Sequence, residues 1–138
     1  MARVPAHLRR LVITRAHERC EYCRLAQAAQ EATFHIDHIV PEFDGGETIA
    51  ENLALACVSC SLRKEARRTA LDFLTGKYVP LYNPRRDIWE AHFAWEGVVL
   101  IGKTAKGRAT IELLKMNRPR VLRIRREEAL WGRHPPRD

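Results

Sequence analysis

All four cysteines of this 138-residue chain fall into two Cys-x-x-Cys pairs, Cys20/Cys23 and Cys57/Cys60. In a reducing compartment disfavouring disulfides, four thiolates at this spacing suit a closed tetrahedral zinc site. Two disulfides or four buried thiols are the alternatives. A structural zinc ion contributes on the order of 10–16 kcal/mol of apparent binding energy, comparable with a domain's entire net stability, so removing it is expected to unfold the core. Four sulfur ligands leave no open position for water, which makes such an ion a staple and not a catalyst.

Length and patterning bound the rest. A chain of 138 residues suits one domain burying roughly two-thirds of its unfolded surface. No apolar run, that at residues 98–101 included, approaches the ~18 needed to span a bilayer. The first ten residues lack the apolar core of a secretion signal. A soluble, cytoplasmic protein that does not use a membrane is expected. The formal charge is +7, unevenly spread: residues 1–60 hold 6 basic and 8 acidic side chains, residues 61–138 hold 18 and 9. That asymmetry suits a polyanion-binding surface in the second half, although charge alone fits a solvated surface equally well.

Local signals predict an α+β order. Pro5 followed by Leu8, Leu11, Val12 and Ala16 predicts an amphipathic helix over 6–19, and the Ala/Gln-rich residues 25–32 a short helix. Thr33-Phe34-His35-Ile36 turns β-like and delivers Asp37 and His38; Pro41 and Gly45-Gly46 then imply a loop. Leu53-Ala54-Leu55-Ala56 reads as a second strand, and Cys60, Leu62, Lys64, Arg67 and Arg68 as a helix with a basic side. Residues 78–86, with two prolines, are expected to run extended or turned over the surface. Beyond them come a hairpin turning at Glu96-Gly97, a helix containing Ile111, Leu113 and Leu114, and another opened by Asn117 and Pro119. The expected division is a core over 1–76, an extension over 77–132 packed on the same domain, and a flexible tail over 133–138.

Asp37-His38-Ile39-Val40-Pro41, Gly45-Gly46, Asn52-Leu53 and Cys57-Val58-Ser59-Cys60-Ser61-Leu62-Arg63-Lys64, with Cys20-Glu21-Tyr22-Cys23 upstream, resemble an HNH endonuclease of the ββα-metal type. The match covers residues 15–68. Asn83-Pro84-Arg85-Arg86-Asp87-x-Trp89 and His92-Phe93-x-Trp95-x-Gly97 are similar to a bacterial subgroup of that family.

The resemblance implies a ββα-metal core stapled by a four-cysteine zinc site, with an N-terminal helix and a C-terminal hairpin-plus-helices extension. It implies hydrolysis of phosphodiester bonds in DNA, or RNA, with structural Zn²⁺ and catalytic Mg²⁺ or Mn²⁺. His38 is then the general base, since imidazole is substantially neutral near pH 7 and takes a proton from water. Asp37 is a hard oxygen ligand for the catalytic cation. Asn52, the family's middle residue, holds the loop that carries His38. The third family position, normally His or Asn, is Ser61 here, a neutral and weaker ligand. His35, two residues before Asp37 on one strand face, is the candidate to share its role. Arg63, Lys64, Arg67 and Arg68, with Arg85 and Arg86 second, are candidate phosphate contacts, which bind without carrying sequence information. Other residues have plainer readings: His7, His17, His92 and His134 as surface or core histidines, Trp89, Phe93 and Trp95 as packing. A zinc-dependent nucleic-acid-binding module that lost catalysis at Ser61 is the alternative function.

Overall fold

The computed structural model describes residues 4–137; the expectations for residues 1–3 and Asp138 lie outside them. The chain is mixed α and β, in two compact units: residues 1–66 with 83–86, and residues 67–82 with 87–138. A four-residue segment, residues 83–86, thus belongs to the first unit although it follows the opening stretch of the second. No helix among the described residues is long and apolar enough to cross a membrane.

The first unit opens with α1 (Ala6–Arg15), shorter than expected because His17 and Glu18 both adopt left-handed backbone (φ 55° and 57°), which no helix continues through. The Ala/Gln-rich residues 25–32 form only a single 3₁₀ turn, Gln27–Ala29. Strand β1 (His35–His38) pairs antiparallel with β2 (Leu53–Ala56), with Asp37 opposite Ala54 and His38 opposite Leu53. All four β2 residues are buried, which explains their unbroken apolar run. Arg15 reaches from α1 to the carbonyls of Ala50 (3.0 Å) and Leu53 (2.7 Å). Helix α2 (Val58–Lys64) completes the strand–strand–helix core and ends at Glu65, whose φ is 50°.

The second unit begins with a hairpin that the prolines concealed: β3 (Thr69–Asp72) pairs with β4 (Lys77–Pro80). Pro80 closes β4 at its end, where a missing N–H costs the ladder little. A short helix α3 (Trp89–His92) leads into β5 (Phe93–Glu96) and β6 (Val99–Gly102), whose turn is Gly97-Val98, one residue later than expected. Helices α4 (Ala105–Leu114) and α5 (Pro119–Leu130) follow, α4 capped by Thr104, whose hydroxyl accepts the Gly107 N–H. Ala70, Leu81 and Ala109 pack with Val79 and Leu113, and Phe93, Leu100, Leu114, Met116 and Val121 are also buried. Past α5, Arg133 pairs with Glu128, and His134 hydrogen-bonds the Gly97 carbonyl (2.9 Å).

Candidate active site

The two cysteine pairs meet. Four sulfurs, all buried, lie within 4.8 Å of one another, and among the described residues they are the one group of three or more His, Cys, Asp or Glu poised for a metal. Tetrahedral Zn–S bonds near 2.3 Å would put sulfurs about 3.8 Å apart; Cys23 Sγ and Cys57 Sγ are separated by 3.7 Å. Proton affinities point the same way. Hydrogen bonds from Cys20, Cys23 and Cys60 hold the Cys57 thiol far below its ordinary range. Cys23 and Cys60 are pushed up, first by Cys20 and then, for Cys23, by Cys57 and burial against an opposing pull from Cys60, and, for Cys60, by Cys23, Cys57 and burial. One thiolate is tolerated there; four need a cation. The donor set fits zinc.

The first knuckle is tied directly to the β1–β2 hairpin. Glu21 N–H donates to the Leu55 carbonyl (2.8 Å), and Glu21 Oε2 accepts the Leu55 N–H (2.8 Å), so the segment docks on β2 like an extra strand residue. Arg85 Nη2 pairs with Glu21 Oε1. Arg85, expected among the phosphate contacts, is thus engaged inside the first unit. Burial, with the Arg15 guanidinium second, lowers its pKa to about 10.

On β1, Asp37 faces an ammonium. Lys64 Nζ lies 3.0 Å from Asp37 Oδ2 and donates to the His38 carbonyl at 3.2 Å. Lys64 is only 2% exposed, so the expected solvent-facing phosphate contact is instead a buried tie between α2 and β1. Burial pushes the Asp37 carboxyl up, against the opposing pull of Lys64. Tyr22 OH also reaches Oδ2, at 3.5 Å, so both bonds fall on one oxygen. His35 Nδ1 and Ser61 Oγ are 2.9 Å apart. The two residues weighed as alternatives for the third ligand therefore stand side by side.

His38 closes β1. Its Nε2 lies 2.9 Å from Thr48 Oγ1 and 4.0 Å from Glu42 Oε1. A threonine hydroxyl both donates and accepts, so this contact orients the ring in either tautomer. Thr48 comes from the loop after β1, and Asn52 braces that loop with three side-chain bonds: Oδ1 accepts the Val40 N–H (2.8 Å), while Nδ2 donates to the carbonyls of Val40 (3.0 Å) and Glu47 (2.9 Å). The loop closes so tightly at Gly46 that a Cβ there would sit 1.7 Å from the Val40 oxygen, so no side chain fits.

These groups line one cleft of about 1080 Å³, shared by His35, Asp37, His38, Ser61 and Glu42 with Arg9 from the first turns of α1. Arg9 and Thr48 carried no motif signal: the first reaches the site through helix packing, the second through a hydrogen bond across a loop. Arg63, Arg67, Arg68 and Arg86 are exposed. Arg67 and Arg68 belong to the second unit, beyond the end of α2.

Comparison with known proteins bears on this region. Neither the search of curated proteins nor that of solved structures returned a match. A family model described as HNH endonuclease matches residues 20–67, the stretch that runs from the first cysteine knuckle through α2. The chain therefore carries an HNH endonuclease domain at residues 20–67.

Proposed function

We propose that this protein is a metal-dependent endonuclease that hydrolyses phosphodiester bonds of DNA. Zinc held by Cys20, Cys23, Cys57 and Cys60 would be its staple, and a reducing cytoplasm would keep those sulfurs available. The observation that carries the reading is that His38, Asp37 and the His35–Ser61 pair line one cleft with Arg9.

The roles follow from chemistry. His38 takes a proton from water, whose oxygen forms the new bond to phosphorus as the bridging oxygen departs and takes up a proton from solvent. Thr48 fixes the imidazole's orientation through Nε2, and Asn52 holds the loop that carries it. Asp37, helped by Ser61 and His35, would hold Mg²⁺ or Mn²⁺, which supplies charge neutralisation on the phosphate and the leaving oxygen. Arg9 and Arg63 suit phosphate contacts, and Arg67, Arg68 and Arg86 are further exposed cations available for them; such contacts predict affinity that falls steeply with salt.

A second reading rests on Ser61: a neutral hydroxyl already bonded to His35 is a poor third ligand, as in a zinc-dependent nucleic-acid-binding module without catalysis. Nicking of supercoiled plasmid separates the two. The endonuclease nicks only with added Mg²⁺ or Mn²⁺, Asp37→Ala abolishes nicking, and His35→Ala weakens the cation response. Tight binding with no nicking under any cation supports the module. An unchanged His35→Ala enzyme removes His35 from the cation site.

A further inference from the structure

The β3–β4 hairpin of the second unit exposes apolar side chains that its own fold does not use. Phe73 and Leu74 at the tip are 72% and 76% exposed, and Tyr78 on β4 is 75% exposed. Tyr78 is opposite Leu71 in the ladder, on the strand face away from buried Ala70 and Asp72. Fraying does not explain the exposure, because the turn is locked. The Asp72 carboxylate, buried under the tip, accepts the Thr75 N–H (3.2 Å) and hydroxyl (2.7 Å), and takes Arg108 Nε (3.0 Å) and Nη2 (3.1 Å) on its two oxygens. Gly76 N–H donates to the Asp72 carbonyl (2.8 Å), with φ of 73°, a conformation glycine adopts without strain. A rigid tip presenting an aromatic and an aliphatic group to water is the signature of a contact surface.

Charge selects the occupant. Arg67 and Arg68 lead into β3 and Lys77 opens β4, all exposed. The one acidic residue from 67 to 82 is Asp72, which is buried and neutralised by Arg108. Lys77 beside the tip, and Arg67 and Arg68 at the base of the same hairpin, where the Arg68 carbonyl accepts the Leu81 N–H, string cations along a ribbon with an apolar tip and complement a polyanion that also offers flat apolar faces. Nucleic acid is such a ligand: phosphates meet the cations and bases stack on the aromatic rings. We infer that the β3–β4 hairpin is a second nucleic-acid contact, in which Phe73 and Tyr78 stack on bases while Arg67, Arg68 and Lys77 hold the flanking phosphates. This rests on the nucleic-acid reading of the nuclease domain, and adds base stacking to a set of contacts otherwise made to phosphate.

The test uses the full zinc-loaded chain and a duplex oligonucleotide with a single-stranded overhang that carries 2-aminopurine, whose fluorescence changes when the base leaves its neighbours for an aromatic ring. Binding is followed by anisotropy over a salt series. Phe73→Ala/Tyr78→Ala, its zinc content and thermal unfolding matching the parent, is expected to bind at least about 30-fold more weakly, the loss typical of two stacked rings. Its salt slope should stay unchanged and its 2-aminopurine signal should be lost. Phe73→Trp/Tyr78→Trp should restore both, and Arg67→Ala/Arg68→Ala should lower the salt slope. Equal affinity and equal signal for parent and Phe73→Ala/Tyr78→Ala overturn the hairpin proposal and leave the nuclease reading standing. Failure of the parent to bind the duplex at all sinks the nucleic-acid reading itself. Self-association or binding to anionic phospholipid vesicles that disappears in Phe73→Ala/Tyr78→Ala, with duplex binding untouched, assigns the surface to another partner and also overturns it.

Discussion

The two units reach order by different routes. The first surrounds its four sulfurs with short elements of three to ten residues and closes its site with single side chains: Asn52 on the 40–47 loop, Glu21 on β2, Lys64 between α2 and β1. The second holds no cluster of metal-ligating side chains among the described residues and packs an ordinary apolar core around Phe93, Leu100, Leu114, Met116 and Val121. Set side by side, they show where order is conditional. The first unit also buries Val12, Tyr22, Phe34, Leu53 and Leu55, but with four thiols among them its order would depend on a cation bound there, whereas a unit held by buried hydrocarbon alone answers to temperature and denaturant.

Metal removal should expose that contrast most strongly. All three tryptophans, Trp89, Trp95 and Trp131, lie in the second unit, so their fluorescence reports on it alone. Stripping zinc removes about 10–16 kcal/mol of apparent binding energy. Amides of residues 20–60 should lose hydrogen-exchange protection while tryptophan emission stays native. Simultaneous loss of both would mean that the units share one cooperative transition, and the contrast would break.

Smaller in effect is the buried tie in the first unit. Lys64→Met leaves the Asp37 carboxylate buried without its cation, a change that typically costs about 3–5 kcal/mol. Denaturant midpoints should fall accordingly, with zinc still bound. A midpoint that does not move would mean that Asp37 is solvated from the cleft and needs no partner.

The smallest effect belongs to the second unit and depends on pH. Arg108 first, and then Thr75, hold the Asp72 carboxyl well below the usual carboxylate range. A depressed folded-state pKa stabilises above the unfolded value, near 3.9, and the contribution is lost as pH falls below it. Tryptophan-monitored unfolding should therefore weaken as pH drops from about 5 toward 2, and Arg108→Ala should flatten that dependence. An identical acid profile in both proteins would remove Asp72 from the comparison.

How far the sequence foretold this molecule differs between the units for the same physical reason. Cysteine spacing and the Asp37-His38 to Lys64 run are local signals tied to one chemistry, so the strand–loop–strand–helix order and the meeting of the four sulfurs could be read in advance. The β3–β4 hairpin was hidden because Pro80 suggests a break, whereas at a strand end it is tolerated. Lys64 and Arg85 look like solvated cations in a basic run; only tertiary packing reveals the buried carboxylates, Asp37 and Glu21, that claim them. Arg9 and Thr48 were unreadable because nothing near them in sequence states what lies near them in space. Backbone reversal at His17 and Glu18, where neither residue is glycine, likewise left no trace in the apolar spacing of α1.

The proposed chemistry stands on the imidazole at the end of β1, which performs proton transfer from a scaffold that does not depend on it. Single-turnover plasmid nicking by His38→Ala tests this, with zinc content and DNA affinity measured on the same sample. The expected rate is lower by about 10²–10⁴, with zinc retained and affinity unchanged. A His38→Ala protein that nicks as fast as the parent would contradict it.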